Sequence, residues 1–175
     1  GDKYVFETPE STKDYGLGMA RLRKKGTLFK TREDKDKAPE QCGIYVDIFV
    51  FENTFNWAPA RYFQGFLSLA FGFLLSCRVF YKNREINLKL AGDNKEIACI
   101  FKKKIRIGKM ISFLSVDSLT HAWNNVNRMC RNDKSRYVTF ASGRLHFFGE
   151  LYERSRVCET VEMKFGTITI PVSRD

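Results

Sequence analysis

Prolines, histidines and ordered cysteine pairs are scarce in this sequence, and each shortage narrows what the chain can be. Four prolines and no low-complexity tract leave no place for a long linker, so one domain, or one domain and a lobe, is expected. The two histidines, His121 and His146, have no companion at catalytic or metal-ligand spacing and read as structural. The five cysteines, Cys42, Cys77, Cys99, Cys130 and Cys158, are odd in number and form no C-x-x-C pair. That argues against a disulfide framework or a zinc finger and for a reducing, cytosolic setting. The chain has no G-x-x-x-x-G-K-[ST] phosphate loop, no G-x-G-x-x-G and no G-x-S-x-G elbow, which removes three common routes to nucleotide and acyl chemistry. Cys42 has no neighbouring histidine to activate it. An RRM aromatic consensus and a KH-type G-x-x-G are also missing, although basic residues alternate with apolar ones over residues 19–29.

Apolar mass is what the chain has in plenty. Hydrophobic residues make up 43 %, with 16 Phe, enough for a core and against intrinsic disorder. The formal charge of +10 is unevenly spread: residues 1–60 hold ten Lys/Arg and ten Asp/Glu, residues 61–175 twenty and ten. That later excess suits a phosphate-bearing small molecule, a nucleic acid, an acidic membrane surface, or simply solvation. The first residues do not read as a signal peptide. A start at Gly1 rather than Met, and an end four residues after Pro171, lead us to expect further chain on both sides.

The stretch with most to say is Gly43-Ile44-Tyr45-Val46-Asp47-Ile48-Phe49-Val50-Phe51. Eight of its nine residues are apolar, aromatic or glycine, and its β-branched and aromatic content predicts a buried strand. An ionised Asp47 there is costly unless paired, hydrogen-bonded or metal-bound. Two readings stand: a structural carboxylate paired with an arginine, and a metal-binding carboxylate projecting into a cleft for phosphoryl chemistry.

Before that stretch, alternation predicts strands at Tyr4–Phe6 and over Met19–Lys24, the latter half-exposed or at an edge. A Lys25-Gly26 turn would lead to Thr27–Phe29 as the return strand of a hairpin. The first 56 residues then make three or four strands of one sheet, with Asp47 in the most buried. Residues 60–82 carry Phe63, Phe66, Leu67, Ala70, Phe71, Leu74 and Leu75 at helical period. Their uncharged run spans roughly 24 Å of helix, short of the ~30 Å hydrocarbon core. A buried core helix is expected, with an interfacial helix as the alternative. One or two helices over residues 96–113 should break near Gly108, and Asp117 or Ser118 should cap a helix running to about Arg131. A strand at Tyr137–Phe140 and a β pair around Gly166, stopped by Pro171, complete the reading.

Three stretches together resemble the LicD family of the nucleotidyltransferase-fold superfamily. They are Phe6-Glu7-Thr8-Pro9-Glu10 with Ala20 to Phe29, then Gly43 to Phe49, then Val161 to Pro171. In that family a basic, Thr/Phe-containing segment precedes a strand reading Gly-Ile-Phe-Ile-Asp-Ile-Phe-Pro. Tyr45 and Val46 are conservative replacements, Val50 stands where Pro is common, and Lys164 stands where the family tends to be acidic. The resemblance implies an α+β fold with a mixed sheet of nucleotidyltransferase type, incomplete in this chain, and a helical region after the Asp47 strand. It implies transfer of phosphocholine or a polyol phosphate from a CDP-linked donor to a sugar of a cell-surface glycan such as lipopolysaccharide. Asp47 would be the third carboxylate of a Mg²⁺ or Mn²⁺ site. The other two belong to a D-x-D segment, expected upstream and not present in these 175 residues. The chain alone should therefore bind metal weakly or not at all and be inactive.

Two residues on one strand share a face at spacing two, so Arg21 and Arg23, joined by Lys24, are candidates to hold the donor phosphate. Arg21 and Arg23 equally suit the solvated side of an edge strand. The expected organisation is a β-rich core at 1–56, a helical region at 57–136 and a β-containing part at 137–175. Peripheral association with a membrane-linked glycan precursor at the cytoplasmic face is expected, and nucleic acid is not. The competing reading is a non-catalytic basic module for nucleic acid or an anionic membrane, centred on residues 102–109, whose binding falls steeply with salt.

Overall fold

The structure, a computed structural model, describes residues 3–30, 38–39 and 42–173. The chain is α+β, with strands β1 (Tyr4–Glu7), β2 (Ala20–Lys24), β3 (Tyr45–Ile48), β4 (Glu52–Asn53), β5 (Tyr137–Thr139), β6 (Leu151–Glu153), β7 (Thr160–Phe165) and β8 (Ile168–Ser173). The helices are α1 (Ala58–Lys82), α2 (Arg84–Ala91), α3 (Lys95–Met110), α4 (Val116–Asn127), α5 (His146–Gly149) and α6 (Arg154–Cys158). The strands form three small antiparallel sheets, β1-β2-β3, β4-β5-β6 and β7-β8. By contacts the chain divides into two compact units, Gly1–Val50 with Gly72–Ala122, and Phe51–Phe71 with Trp123–Asp175.

In the first unit, β2 lies between β1 and β3, so Met19–Lys24 is not an edge strand. The hairpin expected after Gly26 does not form. Thr27 to Phe29 run on without strand structure, tied to the Cys42–Ile44 segment by Phe29 N–H to Cys42 O at 2.5 Å and Ile44 N–H to Thr27 Oγ1 at 2.9 Å. Nor do the first 56 residues make one sheet, because β4 pairs with β5. The surface loop expected over residues 30–41 lies largely outside the described residues.

Sheet β1-β2-β3 reverses the ordinary polarity. Alternation puts Glu7, Arg21, Arg23, Tyr45 and Asp47 on one face and Phe6, Leu22, Val46 and Ile48 on the other. The charged face is the covered one: Arg23 is 1 % exposed whereas Val46 is 65 % exposed. The Asp47 strand is thus neither the most buried strand nor longer than four residues.

The helices of this unit cross closely. A side chain at Gly108 would place its Cβ 2.1 Å from Cys77 O, so this glycine lets α3 meet α1 and does not break α3, which is continuous. Phe80 and Phe101 pack edge to face at 4.9 Å, Lys104 Nζ donates to Ser76 Oγ at 3.0 Å, and Arg78 Nε donates to Leu114 O at 2.8 Å. The cap of α4 is Ser115, whose Oγ accepts from Ser118 N–H at 2.9 Å, rather than Asp117 or Ser118.

The second unit is built around a polar seam. Gln64 Nε2 donates to Asn127 O at 2.9 Å and to Asn53 O at 3.2 Å, and Ser68 Oγ donates to Asn127 Oδ1 at 2.6 Å. Val126, Cys130, Val138, Ala141 and Phe147 are buried in the same unit. Because Gln64 and Ser68 point inward, Tyr62, Phe63 and Phe66 point outward. The helix is less buried than expected of a core helix: Gln64, Ser68, Leu75 and Cys77 are covered, but 28 % of its apolar window is buried, and by length and composition alone it is long and apolar enough to cross a membrane. The hairpin β7-β8 turns at Gly166 (φ 62°) and continues past Pro171, which pairs with Glu162. A two-stranded ribbon has an open edge on each strand, where a residue without an N–H is tolerated.

Candidate functional site

The candidate site is the charged face of β1-β2-β3. Register places Glu7, Arg21 and Asp47 in one cross-strand row and Val5, Arg23 and Tyr45 in the next. Arg21 Nε donates to Asp47 Oδ1 at 2.7 Å and Nη2 to Oδ2 at 3.4 Å. Arg23 reaches diagonally to Glu7 Oε2, at 3.2 Å from Nε and 3.1 Å from Nη2, and gives Nη1 to Gly43 O at 3.0 Å. The Tyr45 ring lies against both guanidinium groups, its centroid 3.7 Å from Arg21 Cζ and 5.1 Å from Arg23 Cζ. Gly43 is needed for this approach, since a Cβ would lie 2.0 Å from Lys24 O.

Tyr15 adds a polar group to the same neighbourhood. Its loop is fixed on both sides: Asp14 N–H donates to Asp117 Oδ1 at 2.7 Å, Lys82 Nζ lies 3.0 Å from Asp14 Oδ2, and Gly16 packs near Val79 and Val116. Asp14 and Gly16 both take positive φ, 57° and 63°. The Tyr15 hydroxyl is buried and has no hydrogen-bond partner among the described residues. Burial pushes its pKa up to about 12; Arg21 and Arg23 pull it down while Glu7 and Asp47 push it up.

Arg21 stays a cation. Burial alone would lower its pKa, but the hydrogen bond and charge of Asp47, with lesser contributions from Tyr45 and Tyr15, hold it above the ordinary value. Of the four residues singled out from the sequence, the fold thus gathers Asp47, Arg21 and Arg23 on one face. Lys24 alternates to the other face, where it sits opposite Tyr4 and is exposed. Glu7, Tyr15 and Tyr45 were not singled out. Tyr45 is two residues from Asp47 on one strand, a signal that was there to use, and Glu7 follows once register is known. Tyr15 sits in an aperiodic loop and carries no such signal.

The described residues do not by themselves make a metal cage. No three His, Cys, Asp or Glu side chains come together among them, Glu7 is engaged by Arg23, and both Asp47 oxygens face Arg21. Comparison with family models, with curated proteins and with solved structures returned no match.

Proposed function

We propose that this chain is the Asp47-bearing part of a LicD-like phosphotransferase, moving phosphocholine or a polyol phosphate from a CDP-linked donor to a sugar of a cell-surface glycan at the cytoplasmic face of a membrane. The observation that carries the reading is the placement of Asp47. It is a partly open carboxylate, on an edge strand, aligned with an arginine whose orientation it fixes at 2.7 Å. The nucleotidyltransferase-type sheet belongs to this reading. In it, β1-β2-β3 are three of the strands, and the open edge of β3 receives a further strand bearing the D-x-D pair.

Arg21 is the phosphate-contacting residue in this scheme. A guanidinium has five N–H donors, and Asp47 engages Nε and Nη2, which leaves Nη1 for a non-bridging phosphate oxygen. The Tyr45 face holds the plane of the fork. Asp47 both orients Arg21 and is a candidate to accept the proton of the attacking sugar hydroxyl. Arg23, with its donors on Glu7 and Gly43 O, braces the strands instead of touching substrate. Mg²⁺ or Mn²⁺ belongs to the reading only together with the further carboxylates; when bound, it would neutralise the diphosphate.

The test is nucleotide release from CDP-choline and CDP-polyols by protein made from the complete reading frame. Asp47→Asn should lower turnover by about a thousandfold, the scale set by loss of a preorganised catalytic group, while the far-UV circular dichroism is unchanged. The reading fails if Asp47→Asn retains full turnover, or if the complete frame supplies no paired carboxylates.

A further inference from the structure

We propose that the outer face of α3 is a docking surface for an acidic phospholipid bilayer, a property independent of the phosphotransfer reading. Lys95, Ala98, Cys99, Lys102, Lys103 and Arg106 recur at three- and four-residue spacing and line one open groove of about 460 Å³. Four of its six lining residues are cations, and the other two, Ala98 and Cys99, are small. The opposite side of the helix is occupied: Phe101 packs on Phe80, Gly108 meets Cys77 O, and Lys104 is drawn inward onto Ser76. Lys95, Lys102, Lys103, Arg106 and Lys109 have no carboxylate partner among the described residues. A cluster of unpaired cations on one helix face has no stabilising role inside the fold and repels itself. It is complementary to a surface of fixed negative charge.

Two features favour lipid over nucleic acid. The basic stripe ends in exposed apolar side chains, Met110 at 73 % and Phe113 at 81 % exposure. Beside a row of cations they suit the boundary between headgroups and acyl chains. The groove itself contains no aromatic ring on which a base could stack. Headgroup phosphates would sit along the groove between Lys102, Lys103 and Arg106, while Met110 and Phe113 enter the interface.

The experiment is flotation of the whole chain with vesicles of phosphatidylcholine containing phosphatidylglycerol, against phosphatidylcholine alone, at low and high salt. Binding should require the acidic lipid and fall with salt. Lys102→Gln/Lys103→Gln/Arg106→Gln should weaken it about a hundredfold, and Phe113→Ser about tenfold. All four positions are exposed, and circular dichroism checks that both variants remain folded. Three outcomes overturn the proposal. One is equal binding to neutral vesicles, which the outward aromatic residues of α1 alone would give. Another is binding indifferent to the triple substitution, and the third is tighter binding to single- or double-stranded nucleic acid than to the acidic vesicles.

Discussion

Arg21 and Asp47 face each other directly across β2 and β3, with Nε 2.7 Å from Oδ1 and the two side chains 12 % and 24 % exposed. The pair is therefore partly desolvated, and each partner satisfies the other. Asp47→Ala leaves Arg21 against the Tyr45 ring without its carboxylate, so a loss of about 1–3 kcal/mol is expected in urea denaturation. Asp47→Asn, which keeps an acceptor, should lose less, and adding Arg21→Met to Asp47→Ala should recover part of the deficit. A stability unchanged by Asp47→Ala would mean that the pair is not a strut.

Arg23 should matter more to folding than Arg21, although the two look alike in sequence. It is nearly inaccessible and ties three segments together through Glu7, Gly43 O and the Tyr45 ring. Arg23→Lys cannot reproduce the fork, and it leaves the Glu7 carboxylate and the Gly43 carbonyl short of donors. A loss of about 3 kcal/mol is expected. If the proposed phosphotransfer holds, Arg23→Lys should lower folded yield with little change in turnover per folded molecule, whereas Arg21→Lys should do the reverse.

The positions of β1, β2, β3, α1, α3, α4, β5 and the β7-β8 pair were legible from periodicity, but the direction in which β3 and α1 face was not. Alternation at Ala20–Lys24 and Tyr45–Ile48 marks strands whatever lies on either side. The rule that apolar residues turn inward then fails twice. In β3 the inward residues are Tyr45 and Asp47, because Arg21 pairs with Asp47, Glu7 pairs with Arg23, and the Tyr45 ring lies against both guanidinium groups. In α1 they include Gln64 and Ser68, because backbone and side-chain groups around Asn53 and Asn127 satisfy them. Such compensation depends on residues distant in sequence, which no local window contains. Lys24 was grouped with Arg21 and Arg23 by proximity, and alternation alone separates it. Residues 83–95, where α2 forms, received no assignment from the sequence; Asn83 precedes the helix and Gly92 closes it.

Gly108 is a test of close packing. Adding one methyl there would bring Cβ to 2.1 Å from Cys77 O and 2.7 Å from Tyr81 Cβ. A backbone carbonyl cannot rotate away, so the helices must separate along the crossing. Gly108→Ala should destabilise by about 1–3 kcal/mol or more, against a gain in helix propensity of no more than about 1 kcal/mol. Thermal melts of Gly108→Ala against the unsubstituted chain should show the loss, and an unchanged melt would mean that the crossing is loose.

Tyr15 gives a pH-dependent prediction whose sign can be worked out. Its phenol titrates near the ordinary value of 10 in the unfolded chain and is pushed up to about 12 in the fold, chiefly by burial. Below that window both states keep the proton, and Tyr15 adds no slope. Between 10 and 12 the folded state keeps a proton that the unfolded state has lost, so stability falls as pH rises. Tyr15→Phe should remove that part of the alkaline decline and the last phase of the tyrosinate absorbance titration. At neutral pH the same substitution should be neutral or slightly stabilising, because it deletes a buried hydroxyl that has no partner among the described residues. A clear loss of stability at neutral pH would instead mean that the hydroxyl is hydrogen-bonded in solution. Arg21 donating to the phenol is excluded as the cause if Tyr15→Phe leaves the Arg21–Asp47 coupling energy unchanged in a double-mutant cycle.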